Sequence, residues 1–140
     1  MKLVINTDGG SRGNPGDAAI GVIVGSSIIS GQTREYGEYI GKTTNNVAEY
    51  KAVIFALKKA KALLGSKKAA ETEVEVRADS ELLVKQMNGE YKIKNEELQP
   101  LFFEIWNSKQ DFKSVAFKHV PREENKDADR LVNQALDTLL

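Results

Sequence analysis

The sequence predicts a mixed α/β domain with helices packed against a five-stranded sheet, in the order β-β-β-α-β-α-α-β-α. Three observations predict it. Short β-branched runs open the chain and recur later as isolated strands. After Thr44 the apolar spacing changes to that of a helix. Clusters of Gly, Asn and Pro mark the changes between the two. Residues 1–140 read as one domain, with no internal repeat and no low-complexity segment. A chain near this length buries about two-thirds of its unfolded surface and can build its own core.

The elements follow in turn. Residues 2–7, with Leu3, Val4 and Ile5, read as a strand. Residues 8–16 hold four glycines, an asparagine and a proline, and read as a turn segment ending that strand at Asp8. Residues 18–29 form a second strand (Ile20, Val22, Ile23, Val24, Ile28), Gly31 a hairpin turn, and residues 33–40 a third strand with Tyr36 and Tyr39. Three consecutive strands imply an antiparallel meander. Thr44, Asn45 and Asn46 supply helix start signals, and residues 47–64 a long helix. Val47, Tyr50, Ile54 and Leu57 give it one apolar row, and Ala48, Ala52, Phe55, Ala56 and Ala60 a second. A helix apolar on most of its circumference is buried against a sheet. Residues 65–70 read as a polar linker and 72–78 as a half-buried strand. Asp79-Ser80 opens a short helix that Asn88-Gly89 stops after Met87. Residues 96–110 form an amphipathic helix, 114–120 a last strand and 125–139 a terminal helix.

Composition excludes several classes. There is no cysteine, so disulfides and thiolate metal sites are ruled out, and a reducing compartment fits. The apolar stretch at the N-terminus is too short for a signal peptide. No run approaches the ~18 apolar residues of a membrane span. A cytoplasmic monomer without a membrane partner is expected. Twenty basic and twenty acidic residues give zero net charge, which counts against nucleic-acid binding unless positive charge is clustered or metal ions supply it.

Four acids fall at element ends, where functional groups gather in α/β sheets. Asp8 ends the first strand, Asp79 follows the fourth, Glu49 lies in the first turn of the long helix, and Asp129 lies near the start of the last helix. Nothing else resembles a nucleophile, and no motif supplies a serine for the single histidine, His119. Carboxylates without cysteine favour hard cations such as Mg²⁺ or Mn²⁺. Two such ions ~3.5–4 Å apart activate water and stabilise the leaving oxygen of a phosphodiester. Each acid also has an ordinary structural reading. Glu49 completes a capping box with Asn46, Asp79 caps the following helix, Asp8 is a turn residue, and Asp129 favours the positive end of its helix. Their joint placement is what points to a site.

Four segments carry a resemblance. Asp8-Gly9-Gly10-Ser11-Arg12-Gly13-Asn14-Pro15-Gly16, Thr43-Thr44-Asn45-Asn46-Val47-Ala48-Glu49, Arg77-Ala78-Asp79-Ser80 and the run from His119 to Asp129 occur in order across nearly the whole chain. Together they resemble the type 1 ribonuclease H family, in a form closer to its archaeal and plant-type branch. The resemblance implies a ribonuclease H-like fold and cleavage of the RNA strand of an RNA–DNA hybrid by two-metal catalysis, leaving 5′-phosphate and 3′-hydroxyl ends. Asp8, Glu49, Asp79 and Asp129 would bind two Mg²⁺ ions, or Mn²⁺ as the alternative, with substrate bound. His119 matches a mobile histidine that helps proton transfer or product release. Asn14 and Asn45 would contact the hybrid, Thr44 a phosphate of the DNA strand, and Ser80 belongs to the third motif. The backbones of Gly9 and Gly10 are candidates for approaching the 2′-hydroxyl. Asn14 also reads as a turn former, Thr44 and Asn45 as helix caps, and His119 as an ordinary strand-end residue. Two departures stand out. Glu81 occupies a position where the family often has a substrate-contacting Gln, and the basic protrusion of some members is replaced by Lys85, Tyr91, Lys92 and Lys94. Those four residues read equally as a basic-aromatic patch for the DNA strand or as a solvated loop. A nuclease acting on DNA junctions or ends, a catalytically idle hybrid-binding module and a metal-binding protein that takes no nucleic acid are the alternative functions.

Overall fold

The structure is a computed structural model that describes residues 1–25 and 33–139. Strands β1 (Lys2–Gly13), β2 (Gly16–Val24) and β3 (Arg34–Thr43) form the expected antiparallel meander. Strands β4 (Glu73–Ala78) and β5 (Ser114–His119) add in parallel on the far side of β1, so the sheet runs β3-β2-β1-β4-β5. The helices are α1 (Asn45–Leu64), α2 (Ser66–Ala70), α3 (Glu81–Met87), α4 (Gln99–Lys109) and α5 (Lys126–Asp137). A 3-10 turn, Arg122–Glu124, precedes the last.

The structure departs from the sequence expectation in several places. β1 does not end at Asp8. It continues through the glycine-rich segment, because β2 pairs with it as far as Gly13 opposite Gly16, leaving only Asn14-Pro15 as the turn. Residues 65–70 are not a linker: α2 forms there and buries Ala69. Helix α4 starts at Gln99 and not at 96, with Leu98 at its N-cap and Pro100 in its first turn, where a missing N–H costs nothing. The expected extension of the second strand through Ile28 and Ile29, and the turn at Gly31, lie outside the described residues.

Alternation along β1 puts successive residues on opposite faces. Leu3 and Ile5 join Val22, Val24, Val74 and Val76 under α1, whose Tyr50, Val53, Ala56, Leu57 and Ala60 are all buried. Each fully buried aliphatic side chain there contributes roughly 1.5–3 kcal/mol. The opposite face is smaller: Ala19 packs on Val132 and Leu136 of α5.

Two features of this frame position the acids. The parallel pairing of β1 with β4 stops at Thr7 opposite Ala78, while β1 runs on against β2 alone. The result is a notch in the sheet beside Asp8. Helix α5 also sits directly on the backbone of β2, where a methyl group at Gly21 would stand 2.1 Å from the Ala128 carbonyl oxygen. Gly21 is the residue opposite Asp8, so this close approach brings the start of α5 to the notch. Gly21→Ala should therefore lift α5 and cost roughly 1–3 kcal/mol by overpacking. Thermal unfolding checks this, and an unchanged midpoint would contradict the close packing of α5.

Candidate metal centre

Asp8 is the first β1 residue beyond the β4 pairing, and Asp79 is the first residue after β4 ends. The two carboxylates therefore meet where the ladder stops. Glu49 reaches them from α1, in its second turn and not in the first, because the N-cap is Thr44, whose Oγ1 accepts a hydrogen bond from the Val47 N–H at 3.3 Å. The capping box of Asn46 with Glu49 does not form. A methyl group at Gly9 would lie 2.3 Å from the Ala48 carbonyl carbon and oxygen, so only glycine lets α1 cross β1 this closely and set Glu49 beside Asp8. Carboxylate oxygens of Asp8, Glu49 and Asp79 lie within 4.8 Å of one another. Asp129 comes from the first turn of α5, lines the same cleft, and acts by its charge on both Asp8 and Asp79. Asn133, one helical turn later, donates from Nδ2 to the Asp129 carbonyl and Oδ2 at 3.2 and 3.4 Å.

These acids are uncomfortable without a cation. Burial, followed by the charges of Asp79 and Asp129, pushes Asp8 up to about 7. Burial, followed by Asp8 and Asp79, raises Glu49 well above the usual carboxylate range, opposed by a hydrogen bond from the Gly9 backbone. Asp79 is raised mainly by burial, with the Arg122 guanidinium and the Asn125 amide opposing. Oε2 of Glu49 is buried and has no hydrogen-bond partner among the described residues, an arrangement that costs free energy unless something pairs with it. A set of hard oxygen donors with one orphaned atom fits a divalent cation.

The other residues singled out by the sequence divide into groups. Gly9, Gly10, Asn45 and Ser80 line a cleft of about 360 Å³ with the four acids. Asn45 does not cap α1. Its Oδ1 accepts from the Ser11 N–H at 2.8 Å and the Ser11 hydroxyl at 3.2 Å, while its own N–H donates to Asn14 Oδ1 at 3.1 Å. Asn14 and Asn45 thus pin the β1–β2 turn to the start of α1, and Asn14 is not among the cleft residues. Ser80, not Asp79, caps α3, with Oγ accepting from the Leu83 N–H at 3.2 Å. His119 ends β5 in register with Ala78, is exposed, and is likewise not among the cleft residues. Tyr91 lies in a separate groove with Gln86, Lys92, Ile93, Phe102 and Phe103. Lys85 stands 5.0 Å above the Tyr91 ring and pairs with Glu81 at 3.2 Å, which gives the unusual acid a partner. Sequence reasoning did not single out Ser11, Arg122, Asn125 or Asn133. The available signals were the positions of Arg122 and Asn125 inside the fourth motif and the helical spacing of Asn133 from Asp129.

Known proteins resemble the chain in sequence and in fold. A family model described as reverse transcriptase-like matches residues 6–135. The bifunctional protein Rv2228c of Mycobacterium tuberculosis is 42% identical over 137 residues, covering 98% of this chain and 36% of that protein. Ribonuclease HI of Halobacterium salinarum is 40% identical over 130 residues, 93% of this chain and 62% of its own. The chain thus spans about a third of the length of the mycobacterial relatives it matches. The crystal structure of LC11-RNase H1 in complex with an RNA/DNA hybrid superposes with a TM-score of 0.89 at 47% identity, covering 98% of both chains. On the sheet order and these likenesses, the chain belongs to the type 1 ribonuclease H family.

Proposed function

We propose that residues 1–140 form one catalytic domain, a metal-dependent endoribonuclease that hydrolyses the RNA strand of RNA–DNA hybrids and leaves 5′-phosphate and 3′-hydroxyl ends. The observation that carries this reading is the meeting of Asp8, Glu49 and Asp79 within 4.8 Å, with Asp129 beside them. The likeness to LC11-RNase H1, a protein described in complex with an RNA/DNA hybrid, supports the choice of substrate. All four acids come from one chain, which supports a monomer as the working unit. A cytoplasmic setting belongs to the same proposal, on the strength of the cysteine-free composition. Among the described residues no helix is long and apolar enough to cross a membrane.

The four carboxylates would hold two divalent cations with substrate bound, Mg²⁺ or alternatively Mn²⁺. Cations held there supply Lewis-acid activation of a water and of the phosphodiester. Asp8, which interacts with each of the other acids, would help hold the cations. Glu49, whose buried Oε2 has no hydrogen-bond partner among the described residues, would be another of the residues that hold them. Gly9 and Gly10 present backbone to the cleft on the strand that carries Asp8, where a 2′-hydroxyl distinguishes RNA from DNA. Asn45 lines the cleft, and from it and the adjoining β1–β2 turn Asn45 and Asn14 would contact the hybrid, while Thr44 at the N-cap of α1 would hold a phosphate of the DNA strand. His119, exposed at the neighbouring strand end, would help proton transfer or product release. Lys85, Tyr91 and Lys92 offer a basic-aromatic surface for the DNA strand. The cations also resolve the objection from net charge, since the chain itself brings none.

Two predictions follow from the carboxylates. Asp8→Asn should keep its circular-dichroism spectrum and lose Mg²⁺- or Mn²⁺-dependent cleavage of a labelled hybrid. Matched duplex RNA and duplex DNA should be cut far less by the unmutated chain, and preferential cutting of duplex DNA would move the assignment to a DNA nuclease. The second concerns pH. Because folding raises Asp8 from 3.8 to about 7, the folded metal-free protein binds protons that the unfolded chain has released. Stability from this group is fully present below pH about 4 and is lost as pH rises through about 7. Cations compete with the same protons, so cleavage should rise with pH across that window. In chelator, the thermal midpoint of Asp8→Asn should fall less between pH 4 and pH 8 and should exceed that of the unmutated chain at pH 8. Parallel pH profiles would remove the electrostatic account.

A further inference from the structure

We infer that Asn125 is a positioning residue that sets the spacing of Asp8, Asp79 and Asp129 from behind the cluster. The inference rests on the nuclease reading above. Asn125 is 1% exposed, an unusual setting for an amide at the junction of a 3-10 turn and a helix. It stands at the N-cap of α5, where an asparagine ordinarily turns its side chain onto the first helical N–H groups. Here the side chain makes no such bond. It points into the sheet instead, where Nδ2 donates to the Thr7 carbonyl at 2.9 Å and Oδ1 accepts from Asn6 Nδ2 at 3.1 Å.

Those partners matter because of where they lie. Thr7 is the last β1 residue paired with β4 and the residue before Asp8. The Asn125 amide therefore grips β1 at the point where the ladder gives out. It also faces the Asp79 carboxylate. Its backbone carbonyl accepts the Asp129 N–H at 3.1 Å. One buried residue thus contacts the strand carrying Asp8, the strand end carrying Asp79 and the helix turn carrying Asp129. The carbonyl bond is the ordinary first bond of the helix, but a helix cap would need neither of the side-chain bonds to β1. A group that holds ligands in place without touching the metal controls metal affinity and turnover, typically by 10–100-fold.

The test uses the full chain with Mn²⁺ as probe, following binding by calorimetry and cleavage on a labelled RNA–DNA hybrid. Asn125→Ala should weaken Mn²⁺ binding and lower kcat by about tenfold each, with KM for the hybrid within about twofold. A folded Asn125→Ala that binds Mn²⁺ within about twofold of the unmutated chain would overturn the inference, since typical effects of such supporting residues are far larger. If Asn125→Ala does not fold, Asn6→Ala decides, because it removes a single donor to Oδ1. Weaker Mn²⁺ binding by folded Asn6→Ala supports positioning, and unchanged binding assigns the network to folding alone and overturns it. Failure of the unmutated chain to bind Mn²⁺ or cut the hybrid would instead sink the nuclease reading, so the two failures are distinguishable.

Discussion

The point where β1 loses its parallel neighbour governs the rest of the molecule. A strand inside a sheet has its edges satisfied and its side chains committed to packing. Past Thr7, β1 keeps β2 on one side and gains space on the other. That space admits carboxylates from four separate segments: the strand itself, the end of β4, the second turn of α1 and the first turn of α5. Both helices reach it only because glycine stands beneath them, Gly9 under α1 and Gly21 under α5. The small side chains are thus as necessary to the site as the acidic ones.

Bringing these acids together sets stability against chemistry. Three of them are raised above their ordinary range by burial, reinforced by neighbouring acids, and one oxygen of Glu49 is buried without a partner. A protein selected only to fold would not keep such a cluster. The large apolar layer under α1 absorbs the cost. The polar contacts around the cluster, from Arg122, Asn125 and Asn133, moderate the repulsion without removing it. Surface ion pairs such as Lys58–Glu104 and Lys61–Asp111 tie α1 to α4 and its end, but exposed pairs of this kind contribute little.

Much of this was legible in the sequence, and the failures have physical reasons. The meander, the buried α1 and the isolated later strands follow from apolar periodicity alone. The length of β1 did not, because Gly9, Gly10 and Gly13 are poor strand formers in isolation and enter the ladder only through pairing with β2. Helix α2 was hidden by its Ser-Lys-Lys start, with only Ala69 to bury. The acids could be located by their relation to strand ends, yet Glu49 was placed one turn too early because three consecutive polar residues compete to cap α1, and Thr44 wins. Asn125 lay inside the fourth motif, but its role could not be read from that: at a helix start an asparagine signals a cap, and only the packing reveals that its amide turns inward.

The arrangement of β1 between β2 and β4 also joins a local pairing to a distant one. β1 meets β2 across a two-residue turn, whereas its other edge pairs Leu3 with Val74, after α1 and α2 have intervened. Local contacts close at small entropic cost and distant ones at a larger one. The hairpin can therefore form early with Asp8 already in its ladder, while Asp79 arrives only with the long-range crossover. The carboxylate cluster is accordingly complete only when the sheet's two halves are joined along β1.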